Sequence, residues 1–422
     1  MTDQNEVNRS TGLYFGVALL MLGNGLQGSL LSVRAESEGF SETVSGLIMA
    51  MNYVGFLVGT RVAEKAVQRV GHIRVFAALA STGSTAALLA AVWIHPLPWG
   101  VLRFSWGLCL AGLLVVTESW LNEQATNANR GRMLALYMVV VTGSIAAGHL
   151  LVTVGDVDGF ELFALASVLA SMALVPVAMT RAGAPPLRVP TQLKLQQLLS
   201  IAPMGVVVSF LSGCATGTIG ATAAVFAAAS GFPIDRVALF VAVPLLGSVL
   251  LQIPIGRLSD VVPRRVVILG AAAMATALSL VMAALDAGSL PGLAVMFAVG
   301  SFAYPLYPLS IAVCNDWLEP EQRTGASSLL IRINGAGAIV GPVAAAVLMA
   351  VDLKFFFVVL AGSHAAIVAY ALYRMLRVRG TEVPTVEEQG VFLPFPARAS
   401  RMAAMLLRGR LPRRGGGRPR AA

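Results

Sequence analysis

Apolar residues fall in long runs along this chain, and the polar residues that part them are crowded into short stretches. Neither the alternation of a half-buried strand nor the narrow stripe of a soluble amphipathic helix prevails. About 20 apolar residues carry a helix across a hydrocarbon layer. Twelve such runs occur, near residues 13–34, 44–62, 74–94, 98–120, 133–153, 160–180, 198–221, 236–256, 266–286, 291–316, 326–350 and 354–375. The pattern predicts an all-α membrane protein with twelve transmembrane helices in two six-helix bundles, residues 13–180 and 198–375. Residues 181–197, RAGAPPLRVPTQLKLQQ, hold three prolines and few apolar positions, and read as the cytoplasmic linker between the bundles. Residues 1–12 form a polar N-terminus without a signal-peptide pattern. Residues 376–422 form a basic tail rich in Gly, Pro and Arg, expected to be partly disordered.

Composition turns this pattern into a constraint. The 422 residues are 57% hydrophobic and 12% charged, where a soluble domain carries about 25% charged residues. A net charge of +9 would point to nucleic acid in a soluble protein. Here the charge is sorted by side, which is the signature of membrane orientation and leaves no reason to expect a nucleic-acid partner. Arg61, Lys65, Arg69, Arg74, Arg257, Arg264, Arg265 and Arg323 follow even-numbered runs, whereas Glu36, Glu38, Glu42, Asp156, Asp158, Asp235, Asp286 and Asp352 follow odd-numbered ones. The basic side is expected to be cytoplasmic, with both termini on it, in a plasma (inner) membrane protein. Cys109, Cys214 and Cys314 lie inside apolar runs and read as packing residues, with neither zinc spacing nor a disulfide framework. No P-loop, His-Glu-x-x-His or Gly-x-Ser-x-Gly pattern occurs, so an ATP-driven pump and an enzyme are disfavoured, and no metal or cofactor is expected.

The two halves repeat one another. A shift of 192 residues lays Gly55 on Gly247 and residues 64–73, EKAVQRVGHI, on 256–265, GRLSDVVPRR. Trp120-Leu121 and Trp317-Leu318 close the fourth run of each half, and Arg130 and Arg323 are each followed 18 residues later by a glycine, Gly148 and Gly341. Individually weak, the matches share one order, as a duplicated six-helix unit requires.

With these residues in view, the chain resembles the major facilitator superfamily over about residues 13–375. GRLSDVVPRR is similar to that superfamily's loop signature, Gly-x-Leu-Ala-Asp-Arg-x-Gly-Arg-Arg, and Leu102-Arg103-Phe104-Ser105-Trp106-Gly107 resembles its fourth-helix pattern. Bacterial drug- or sugar-transporter-like branches are the nearest in character. The resemblance implies two bundles rocking about a midplane cavity, a small-molecule substrate, membrane lipids around a monomer, and protons as a coupling ion. It also implies a cytoplasmic gate in which Asp260, held by Arg264 and Arg265, reaches the start of the fifth helix near Arg130 and Arg132. Gln68, neutral where the pattern has Asp, faces the start of the eleventh helix near Thr324 and Gly325, with Arg323 in the same gate.

Polar residues inside spans are costly in lipid, and each is therefore a candidate. Arg103 lies about 7–8 Å inside the fourth span and is a candidate for a substrate or proton-coupling site, or else for a packing donor. Asn24, Gln27, Asn52 and Tyr53 are candidate cavity groups, with interhelical hydrogen bonds as the alternative. Arg34 either snorkels to headgroups or rims the cavity. His149, of a residue type that changes charge near neutral pH, is with Glu118 a further coupling candidate, with helix packing as the alternative for a lone histidine. Tyr304 and Tyr307 flank Pro305 and precede Pro308 in a span that should bend there. Asn334, Arg332 and Gln252 are placed at the inner vestibule. The function expected is secondary active transport of a small organic solute by alternating access. A lipid or lysolipid flippase and a non-transporting assembly factor or sensor are the alternatives.

Overall fold

The computed structural model describes residues 2–124, 130–178 and 193–377, together with Gln389 and Phe392. Among the described residues the chain is helical and has no strand. The helices are α1 (Thr2–Ser37), α2 (Glu42–Val70), α3 (His72–Val92), α4 (Pro96–Gln124), α5 (Arg130–Leu150), α6 (Glu161–Met172), α7 (Leu174–Ala178), α8 (Leu195–Ile201), α9 (Pro203–Ala229), α10 (Ile234–Val261), α11 (Arg264–Ala284), α12 (Leu290–Ala303), α13 (Leu306–Trp317), α14 (Pro320–Met349) and α15 (Phe355–Arg377). Eleven spans are long and apolar enough to cross a membrane, with α12 and α13 together making one of them. A shorter apolar helical stretch, Glu161–Val177, supplies the sixth crossing.

Three boundaries depart from the apolar pattern, each at a proline. The seventh crossing begins at Pro203 rather than 198, because α8 ends at Ile201 and Pro203 takes the first position of the next helix, where its missing N–H leaves no bond unmade. The sixth breaks at Ala173, between α6 and α7 and three residues before Pro176. The tenth, expected to bend, is interrupted at Tyr304-Pro305, where the missing N–H ends the α12 ladder.

Each half is locked by reciprocal glycine contacts. A Cβ on Gly55 would run into the carbonyl oxygen of Phe104, and one on Gly107 into that of Asn52. The second half repeats this between α10 and α12, with Gly247 against the Phe297 carbonyl and Gly300 against that of Pro244. In all four contacts the carbonyl belongs to the residue three before the partner glycine. The same rule joins α1 to α5 through Gly25 on Ile145 and Gly148 on Leu22, and α9 to α14 through Gly217 on Ala338 and Gly341 on Cys214. Without hydrophobic driving force between helices in lipid, such backbone approach is what holds membrane helices together. The sequence duplication is thus a duplication of helix contacts.

The halves meet where α2 faces α14, α5 faces α10 and α1 faces α9. One side of the molecule carries the acidic α1–α2 and α5–α6 corners, and the other the basic α2–α3 and α10–α11 corners. On the acidic side the seam is shut. Thr43 Oγ1 donates to the Ala346 carbonyl at 3.0 Å, and Gly46 packs directly on Ala346. One apolar cluster there draws Leu26, Ile48 and Met49 from the first half and Ile219, Val225 and Met349 from the second. Stacked and edge-on rings of Phe226, Phe240, Phe356 and Phe357, with centroids 5.0–6.5 Å apart, fill the second half beside it.

Candidate transport cavity

Below that seal, at mid-depth, lies a cavity with about 1240 Å³ of empty space including its mouth. The middle of α2 supplies Asn52, Tyr53, Phe56, Leu57 and Thr60, and α5 supplies Met138, Val141, Thr142, Ile145 and His149. From the second half come Thr216, Ile219 and Gly220 of α9, and Val241, Leu245, Ser248 and Gln252 of α10. Tyr304, at the break between α12 and α13, and Ile331, Arg332, Asn334, Gly335 and Ala338 of α14 complete it. The helical period explains the selection: Thr142, Ile145 and His149, or Ser248 and Gln252, fall on one face at three- and four-residue spacing.

Of the sequence candidates, Asn52, Tyr53, His149, Gln252, Tyr304, Arg332 and Asn334 line this space. His149 Nδ1 is 2.8 Å from Ser29 Oγ of α1, and its ring fills the room left by Gly28. Asn334 Nδ2 donates to the Ser209 carbonyl at 3.0 Å, which ties it to α9. Asn52 is buried, and its Oδ1 has no hydrogen-bond partner among the described residues.

The other candidates lie elsewhere. Arg103 Nη1 donates to Gln27 Oε1 at 2.8 Å, and Trp106 Nε1 donates to Asn24 Oδ1 at 3.0 Å. All four side chains are buried and knit α1 to α4 inside the first half, away from the cavity lining. Arg34 is at the acidic end, paired with Glu38 at 2.6 Å and Asp158 at 3.0 Å. Tyr307 is fully buried in a core with Ile311 and Cys314. Glu118 is fully buried and accepts the hydroxyl of Tyr137.

The expected gate also differs. Asp260 Oδ1 accepts the backbone N–H of Phe392 at 2.7 Å and stands 3.7 Å from Arg264 Nη2. The Phe392 ring lies against Gly256, a turn back along α10, so a tail residue occupies the position expected to face α5. The side chains of Arg130 and Arg132 lie outside the described residues. Arg264 is buried, with Nε 2.8 Å from Asp316 Oδ2; the contact is off the N–H axis, so its attraction is Coulombic. Arg265 is half-buried and Gln68 exposed. Arg323 Nε donates to the Leu318 carbonyl at 3.1 Å, at the end of α13.

Sequence reasoning missed the hydroxyl residues of the lining. Thr60, Thr216 and Ser248 donate to their own helices, to Leu57, Ser212 and Leu245 carbonyls at 3.0, 2.9 and 2.7 Å. That bond makes a hydroxyl tolerable in an apolar run, so the residue does not stand out. It leaves oxygen lone pairs facing the cavity.

Known proteins agree with this architecture. A 27% identical relative, the MFS-type transporter YcaD of Escherichia coli, aligns over 351 residues, 80% of this chain and 88% of its own. Among solved structures, the nucleoside transporter NupG superposes with a TM-score of 0.68 at 14% identity, covering 88% of this chain and 100% of that one. The D-xylose-proton symporter superposes with a TM-score of 0.67, also at 14% identity, over 90% and 99%. The sequence model of the Major Facilitator Superfamily matches residues 13–226 and again 205–411. With a match in each half, and a repeat that recurs in the helix contacts themselves, the chain belongs to the Major Facilitator Superfamily.

Proposed function

We propose that the chain carries a small organic solute across the plasma (inner) membrane by alternating access, with its basic side and both termini cytoplasmic. Two bundles, residues 13–180 and 198–375, rock about the α2–α14 and α5–α10 seams. The observation that carries this reading is the mid-depth cavity, built from both halves and closed over on the acidic side by Thr43, Gly46 and Ala346. An assembly factor or sensor would fill that space with bulky side chains.

Proton coupling is assigned to His149. It is the candidate that both lines the cavity and contacts α1 of the seal through Ser29. Glu118 is closed off by Tyr137, and Arg103 is engaged by Gln27. A change of charge on His149 therefore alters the cavity and the seal together.

The test needs no known substrate. A single cysteine at Ser248, in a chain with Cys109, Cys214 and Cys314 replaced, is labelled with an impermeant maleimide in vesicles of each orientation. Labelling from both sides, with a balance that moves with pH, is expected. His149→Gln should remove the pH response and keep two-sided access. Labelling from one side only under every condition would sink the carrier reading.

A further inference from the structure

At the basic end of the second half lies a second pocket, with about 650 Å³ of empty space including its mouth. It shares no lining residue with the transport cavity. Helix ends build it: the start of α9 at Pro203, the α10–α11 corner at Pro263, the last turn of α13 and the end of α15. Its charges are not balanced. Arg264 is committed to Asp316, the one acid that lines the pocket among the described residues. Arg265 of α11 and Arg374 of α15 line it too, and neither has an ion pair among the described residues. Arg265 Nε is buried without a hydrogen-bond partner, and so is Oε1 of the tail residue Gln389. A guanidinium group shielded from water and left unanswered carries a free-energy cost that an anion removes.

The surroundings decide what kind of anion fits. Pro203, Met204, Val313 and Met375 make much of the wall apolar. Beside the pocket on α15, Leu372, Tyr373 and Leu376 are exposed, and Trp317 at the end of α13 is partly so. At the end of a membrane crossing such apolar surface meets acyl chains, and Trp sits at headgroup level. A free phosphate ion gains nothing from these surfaces. A phospholipid gains from them and from the arginines, because α11 and α15 pack together and present two forked donors that match phosphate oxygens.

We infer that this pocket binds an anionic phospholipid of the leaflet at the basic end, with its phosphate between Arg265 and Arg374 and its acyl chains along the exposed face of α15. The Gln389 amide serves the headgroup in either orientation: Nε2 donates to a phosphate oxygen, or Oε1 accepts from a headgroup hydroxyl. The site requires only that the basic end lies at a membrane surface, and it stands whether or not the cavity carries a solute.

Two lipids with the same chains test the inference on the purified full-length chain in neutral detergent: dioctanoyl phosphatidylglycerol, and dioctanoyl phosphatidylcholine, which has no net charge. Bound lipid is counted by native mass spectrometry. Phosphatidylglycerol should bind roughly 30-fold more tightly, at about 1 kcal/mol for each arginine, and inorganic phosphate at the same concentration should not displace it. Arg265→Gln with Arg374→Gln should abolish the preference, while lysine at both positions, which keeps the charge, should retain part of it. Arg257→Gln, at an exposed residue of α10 outside the pocket, should leave it unchanged. Equal binding of the two lipids by the unaltered chain would overturn the assignment without recourse to any variant. That result is expected if Glu387 and Glu388, next to Gln389 in sequence and outside the described residues, already answer the arginines. Displacement by inorganic phosphate would make the ligand a free anion and overturn the lipid assignment. A preference that survives the glutamine pair, or that Arg257→Gln lowers as much, would place the lipid elsewhere.

Discussion

At the scale of single residues, the membrane makes complementary pairing the condition for any charge to be present. Arg264 and Asp316 show this at the basic side, 2.8 Å apart with side chains 2% and 6% exposed. Removing one member strands the other, which costs about 3–5 kcal/mol for a buried pair. Arg264→Ala should therefore lower the unfolding midpoint in detergent strongly, and Arg264→Met combined with Asp316→Leu should recover most of the loss. Additive losses in that double-mutant cycle would show that the two do not interact. The same logic explains where sequence reading stops. Arg103, Gln27, Asn24 and Trp106 are polar groups in apolar runs, the usual mark of a binding site. They instead satisfy one another across the α1–α4 contact. A partner on another helix, far along the chain, cannot be read from periodicity, and a residue's facing decides whether it serves packing or solute.

At the scale of elements, the crossings were legible because the hydrocarbon thickness fixes their length and backbone satisfaction fixes their form. The breaks at Ala202-Pro203 and Tyr304-Pro305 were marked by proline, although the choice between bend and break depends on neighbouring helices. The repeat was legible too, as Gly55 over Gly247 and Gly148 beside Gly341, but its meaning was not. Each of those glycines meets a carbonyl on another helix, at Phe104, Phe297, Leu22 and Cys214. The duplication predicts equal consequences. Gly55→Ala and Gly247→Ala should each destabilise the protein by about 1–3 kcal/mol, the cost of forcing a methyl into a packed contact. The two losses should agree closely in thermal unfolding. A mild effect at one site with a severe effect at the other would mean that the second-half contacts are not equivalent to those of the first.

At the scale of the whole molecule, the seam is closed over the cavity on the acidic side. On the acidic side the halves touch through a hydrogen bond from Thr43 to the Ala346 carbonyl and through the bare Gly46 backbone against Ala346. A large side chain at position 46 has no room there, and packed interfaces respond to such insertion by switching arrangement rather than by deforming smoothly. Gly46→Trp should thus separate α2 from α14 on the acidic side. If the halves move as two bodies, the basic ends must approach one another in compensation. Spin labels on exposed Arg61 of α2 and Arg257 of α10, each replaced by cysteine, would report a shorter distance in the Gly46→Trp protein. A matching pair at exposed Glu38 and Val351 would report a longer one. Lengthening at the acidic side with no change at the basic side would show local prying and exclude coupled rocking. Opposite changes at the two ends would establish that the cavity is exposed to one side at a time.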